Sequence, residues 1–182
     1  ETYSVKALNK NIEGEVVIPS TYEGKSVTDI GDYAFENCNS ITSVTIANGV
    51  TYIGESAFNS CGSLTSITIP NSVTSIENDT FKYCSGLTFV SIPESVTIIE
   101  DDAFRGCSNL TSITIPESVT SIGEDAFENC TSLKKVIFSE SLLSESIVLN
   151  NYSFHHCGYI HHYYFLLDRK STRLNSSHVS ES

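Results

Sequence analysis

The 182-residue chain has no methionine, no tryptophan and no histidine before His155. It carries ten basic residues against 22 acidic ones, a formal net charge of −12 at pH 7. So little positive charge argues against nucleic acid or an anionic membrane as partner, because binding phosphate draws on a basic patch. No apolar run approaches the length of a membrane span, so no membrane insertion is expected of this stretch. With no methionine the chain lacks its own start and is expected to be a fragment or a processed form. Its first 154 residues hold no histidine-based catalytic arrangement, and no nucleophile stands beside a base. No CxxC occurs among the six cysteines, which weakens any zinc reading of them. No enzyme, no cofactor and no metal are expected.

What the chain does have is repetition. The string AFENC occurs at Ala34–Cys38 and again at Ala126–Cys130, four periods of 23 residues apart. At that period Val27, Val50, Val73, Val96 and Val119 align, as do Phe35, Phe58, Phe81, Phe104 and Phe127, and Cys38, Cys61, Cys84, Cys107 and Cys130. A fixed period of this size marks a solenoid, in which one short unit buries its apolar face only when neighbours stack on it.

Within one unit, Leu64, Ile67 and Ile69 predict an inward-facing strand, and alternation sends Ser66, Thr68 and Pro70 outward. Val73 and Ile76 predict a second short extended piece. Ile30, Ala34, Phe35 and Cys38 then fall at helical spacing and predict a helical turn. The two positions before each Ala–Phe pair (Thr80–Phe81 in the third unit) are acidic in seven of ten places, among them Asp101 and Asp102. Carboxylates there suit the positive end of a helical turn; calcium or glycosidase chemistry is the alternative use of such pairs. Phe154 and Cys157 lie 27 residues after Phe127 and Cys130, and Ile160, Tyr163 and Phe165 keep step with Leu133, Val136 and Phe138. A sixth coil with a four-residue insertion follows. Val16, Ile18 and Pro19 match the strand end of a unit, TYEGKS reads as an enlarged loop, and the first 18 residues read as a capping hairpin.

The unit L-x-x-I-x-I-P-x-S-V-x-x-I-x-x-x-A-F-x-x-C, read from Leu64 and again from Leu110, resembles the BspA-type leucine-rich repeat over roughly Glu15 to Phe165. That resemblance implies an α/β, mostly β fold: a right-handed solenoid with a parallel sheet on one side and short helical turns on the other. The handedness rule for parallel crossovers gives the same hand. The organisation expected is a capping hairpin and partial coil over 1–26, five repeats over 27–141, a degenerate sixth over 142–167 and a tail over 168–182. The resemblance also implies an extracellular or cell-surface adhesion role with a protein partner (host, matrix or cell-surface) and no catalytic residues. The chain is expected to be monomeric. A structural spacer that presents another domain is the alternative.

The tail segment DRKSTRLNSSH, Asp168 to His178, resembles the translation of a common sequencing adapter. It is expected to be an artefact of assembled reads, with no function. The cysteine column is read as small hydrophobic filler, with disulfides between stacked slots still open. His155, His156, His161 and His162 offer a transition-metal alternative in the degenerate coil. The binding residues expected are those of the outward strand face: Ser43, Ser66, Phe89, Ser112 and Lys135 in one column, and Thr45, Thr68, Ser91, Thr114 and Ile137 in its neighbour, with Lys134 alongside. Phe89, Lys134, Lys135 and Ile137 break the hydroxyl pattern, and exposed apolar groups amid polar ones mark contacts.

Overall fold

The structure, a computed structural model, describes residues 2–138, 148–150 and 152–158, and the backbone alone of 162–165. The tail expected to be an artefact, His161 and most of the expected insertion lie outside the described residues. Two parallel strand walls run along the solenoid. The shorter comprises β1 (Tyr3–Val5), β4 (Lys25–Ile30), β6 (Tyr52–Ile53), β8 (Ser75–Ile76), β10 (Ile98–Ile99), β12 (Ser121–Ile122) and β14 (Val148–Leu149). The longer comprises β2 (Glu13–Ile18), β5 (Ser40–Ile46), β7 (Ser66–Thr68), β9 (Phe89–Ser91), β11 (Ser112–Ile115), β13 (Lys135–Phe138) and β15 (His162–Phe165). Registers follow the sequence period: Ser66 pairs with Phe89, Ile67 with Val90, and Val136 with Tyr163.

The first residues are not a hairpin. β1 pairs in parallel with β4 and β2 in parallel with β5, so the segment is one more coil, one strand in each wall. Its alternating Tyr3, Val5, Ala7, Ile12 and Val16 pack against the core, and that burial favours stacking over self-pairing. The antiparallel hairpin sits instead in the expected loop. There β3 (Thr21–Tyr22) pairs with the start of β4 across Glu23 and Gly24, whose φ values of 48° and 77° suit a tight two-residue turn.

The interior is columnar. The rings of Phe35, Phe58, Phe81, Phe104, Phe127 and Phe154 stack with successive centroids 5.0–5.7 Å apart and nearly parallel planes. Beside them run the thiols, each donating to the carbonyl of a phenylalanine one coil back. Cys61 Sγ reaches Phe35 O at 3.2 Å, Cys84 reaches Phe58 O at 3.1 Å, and Cys107 and Cys130 continue the series. All six cysteines are free, five of them buried. The Ser–Val pair of the repeat has a similar cause, since Ser95 and Ser118 hydroxyls donate to the carbonyls of Val73 and Val96 at 2.6 and 2.7 Å. Pro70, expected outward, is buried, as are Pro93 and Pro116. Strand alternation stops there because each proline opens a turn, its carbonyl accepting from Val73, Val96 or Val119 at 3.1 Å.

The third side departs from the helical reading: no helix occurs among the described residues. Two residues of each turn, four positions apart, adopt positive φ: Tyr33 and Asn37, Ser56 and Ser60, Asp79 and Tyr83, Asp102 and Gly106, and Asp125 and Asn129. The backbone donors of each turn divide alternately. Ala34, Glu36 and Cys38 bond three residues back within the coil, while Tyr33, Phe35 and Asn37 donate to Glu55, Ala57 and Asn59 of the next. A helix would spend both sets inside one coil and leave the stack unbonded. The acidic column is accordingly not a helix cap. Asp79, Asp102 and Asp125 occupy the left-handed position that Asp tolerates better than most residues. Asp32, Asn78 and Asp101 accept the backbone N–H of Glu55, Asp101 and Glu124 at 3.0, 3.1 and 2.7 Å.

Gly106 joins both constraints. Its φ is 72°, and a Cβ there would lie 2.6 Å from Tyr83 Cδ1. Gly106→Ala is therefore expected to cost about 1–2 kcal/mol, read as a lowered urea midpoint with unchanged slope.

Candidate functional site

The outer surface of the longer wall gathers every binding residue expected from the sequence. Thr45, Ser66, Thr68, Phe89, Ser112, Thr114, Lys134 and Lys135 are exposed, and Ser43, Ser91 and Ile137 are half-buried. Inward neighbours Val44, Ile67, Val90, Ile113 and Val136 anchor the strands from beneath. Parallel strands about 4.8 Å apart fix the spacing of each row.

The two hydroxyl columns differ chemically from the threonines beside them. Thr65 and Thr88 Oγ1 donate to the carbonyls of Thr42 and Thr65 one coil back, both at 3.1 Å. Those hydroxyls are spent on stacking. No such bond occupies Ser66, Thr68, Ser112 or Thr114 among the described residues, so their hydroxyls face solvent ready to pair. Two further members lie in the segment that the sequence pattern places in a cap. Glu15 pairs with Ser43 and Val17 with Thr45, which extends both columns onto β2. Val17 is 63% exposed and Phe89 57%, so two apolar groups stand out of a polar surface.

On the turn side Lys82 and Arg105 are each held by more than one carboxylate. Lys82 sits between Asp79 at 2.7 Å and Asp102 at 3.2 Å. Burial pulls its pKa down, but the two carboxylates outweigh this and hold it above the ordinary value. Arg105 meets Asp102, Asp125 and Glu128 at 3.0, 3.3 and 2.6 Å. Burial and a 3.0 Å hydrogen bond to Asp32 push the Tyr52 phenol up to about 12. Asp101 and Asp102 are thus engaged in coil-to-coil bonding, as capping groups for backbone N–H and as ion-pair partners.

Stacked parallel coils with aliphatic, phenylalanine and cysteine columns inside and an open strand wall outside define a leucine-rich repeat solenoid, a scaffold for protein interaction. The chain belongs to the BspA-type leucine-rich repeat family. The sequence profile described as the BspA type leucine rich repeat region matches in six copies, over residues 13–134 and 74–178. No curated protein matches the chain. Among solved structures it is similar to the leucine rich repeat protein TpLRR of T. pallidum, with 32% identity over 75% of this chain and 62% of that one, at a TM-score of 0.69. It is also similar to a leucine rich cell surface protein from Faecalibacterium prausnitzii, with 36% identity over 75% of this chain and 35% of that one, at 0.69. A leucine-rich repeat protein from Bacteroides ovatus is 30% identical over 74% of this chain and 46% of that one, at 0.61. The chain therefore spans less than two thirds of the length of each.

Proposed function

We propose that the chain is a non-enzymatic scaffold that recognises other proteins at or outside a cell surface, as part of an adhesin, and that the longer wall is its contact surface. The observation that carries this reading is the row structure of that wall: solvent-facing hydroxyls at fixed spacing, interrupted by the exposed ring of Phe89 and by Lys134 and Lys135. The stacked coils hold these groups rigidly, so a broad partner meets many weak contacts with little ordering cost. The description of the F. prausnitzii relative as a cell surface protein supports the location. The partner class is protein of a host, of the matrix or of another cell surface, met by a monomeric scaffold.

Phe89→Ala and Lys135→Ala, measured by biolayer interferometry against a panel of extracellular matrix proteins, are each expected to weaken binding by about tenfold, the size of a single anchor residue. Binding that survives both substitutions moves the contact off this wall. A chain that binds none of the panel favours the spacer reading.

A further inference from the structure

We propose that Glu128, His155 and His156 form a binding site for a divalent transition cation, zinc foremost. The site belongs to the turn side, not to the strand wall, and is independent of the adhesive reading. Position by position, the residue after each core phenylalanine runs Glu36, Asn59, Lys82, Arg105, Glu128, His155. Arg105 closes the regular ion-pair ladder by holding Glu128 Oε2 at 2.6 Å. The other oxygen, Oε1, is turned toward the next coil and lies 3.9 Å from His155 Nδ1. That separation is too long for a hydrogen bond. It is close to what two ligands of one ion keep, since bonds of about 2.0–2.2 Å place tetrahedral ligands roughly 3.5 Å apart.

The third donor comes from a left-handed position of the turn. His156 has a φ of 49°, the left-handed position of its turn, and its ring lies against that of His155 with centroids 3.8 Å apart at 44°. One donor atom from each of Glu128, His155 and His156 falls within 4.8 Å of the other two. The carboxylate is nearly buried at 11% side-chain exposure, while the imidazoles reach solvent. His156 makes no hydrogen bond or ion pair among the described residues, so its ring nitrogen has no partner to replace. Two imidazoles and a carboxylate suit zinc, copper(II) or nickel(II) rather than magnesium or calcium. Arg105 acts as an outer partner that fixes the carboxylate and leaves one oxygen to coordinate. The four-histidine alternative drawn from the sequence changes accordingly: Glu128 enters, His161 lies outside the described residues, and of His162 only the backbone is described.

Titration calorimetry of zinc chloride into the metal-free full chain at pH 7.5 is expected to give one equivalent. Losing an outer partner of a metal ligand costs about 10–100-fold in affinity, so losing a ligand should cost at least about a hundredfold. Glu128→Gln, His155→Ala and His156→Ala are each expected to show that loss. The His161→Ala/His162→Ala double variant and Cys157→Ser are expected to bind as the parent does. If Glu128→Gln fails to fold, the two exposed histidine variants decide the matter, with circular dichroism confirming their fold. An absence of binding, survival of one equivalent in the His155→Ala/His156→Ala double variant, or its loss with His161, His162 or Cys157, overturns the assignment.

Discussion

Phe81→Ala is expected to lower the unfolding free energy by about 3–5 kcal/mol, at the upper end for core truncations. The ring is fully buried and lies between Phe58 at 5.7 Å and Phe104 at 5.3 Å, so its removal opens a cavity shared by two coil interfaces. In a solenoid each coil touches only its neighbours, and stability is close to a sum of coil and interface contributions. Weakening two adjacent interfaces in the middle of the stack should therefore uncouple its halves. The expected signature in urea, followed by far-ultraviolet circular dichroism, is a lower midpoint with a shallower or divided transition. Phe89→Ala serves as the contrast. Its ring is 57% exposed on the outer wall, so its removal should change stability by less than about 0.5 kcal/mol. A cost below about 1 kcal/mol at Phe81 would sink the stacked-ring account of the interior.

How much of this was legible in the sequence depends on the distance over which each feature is decided. The inward columns of valine, phenylalanine and cysteine were legible because each is a local preference repeated at one period, and burial follows directly from repetition. Outward orientation of Ser66, Thr68 and Phe89 followed from strand alternation for the same reason. The turn side misled because Ile30, Ala34, Phe35 and Cys38 have a spacing compatible with one helical face. A backbone with left-handed residues four positions apart puts the same side chains inward while aiming every other N–H group at the next coil. Spacing cannot separate those two backbones; the positions of Asp, Asn and Gly at 79, 102, 125, 37, 129 and 106 carry the clue, since these residues tolerate positive φ. The opening coil was missed because Gly14 and the Asn9–Asn11 stretch mask its period, with β2 shifting register against β5 between Gly14 and Glu15. Glu128 stood out in no reading of the sequence, because its nearness to His155 arises only when two coils stack.

The cysteine column makes the second large prediction, a steep loss of stability in alkali. Burial pushes the Cys61 thiol up to about 12 and lifts Cys38, Cys84 and Cys107 as well. A hydrogen bond with Cys157, and then burial, raise Cys130. Below about pH 8.5, the ordinary thiol value, folded and unfolded chains both keep these protons and nothing is lost. Above it the unfolded chain releases protons that the folded chain retains, so the folded state binds more protons and stability must fall as pH rises. The loss continues until the folded thiols themselves ionise, near 12 for Cys61. Each thiol ionised only in the unfolded chain contributes about 1.4 kcal/mol per pH unit, so five acting together reach roughly 7 kcal/mol per unit. Urea midpoints are expected to drop sharply between pH 9 and 10.5, and the Cys84→Ala/Cys107→Ala double variant should show a shallower decline despite a lower starting stability. Ellman's reagent at pH 8 should find one accessible thiol, that of half-buried Cys157, and six after denaturation. A midpoint that stays flat from pH 8 to 10.5 means that the thiols ionise in place, which a closed column of stacked coils does not permit.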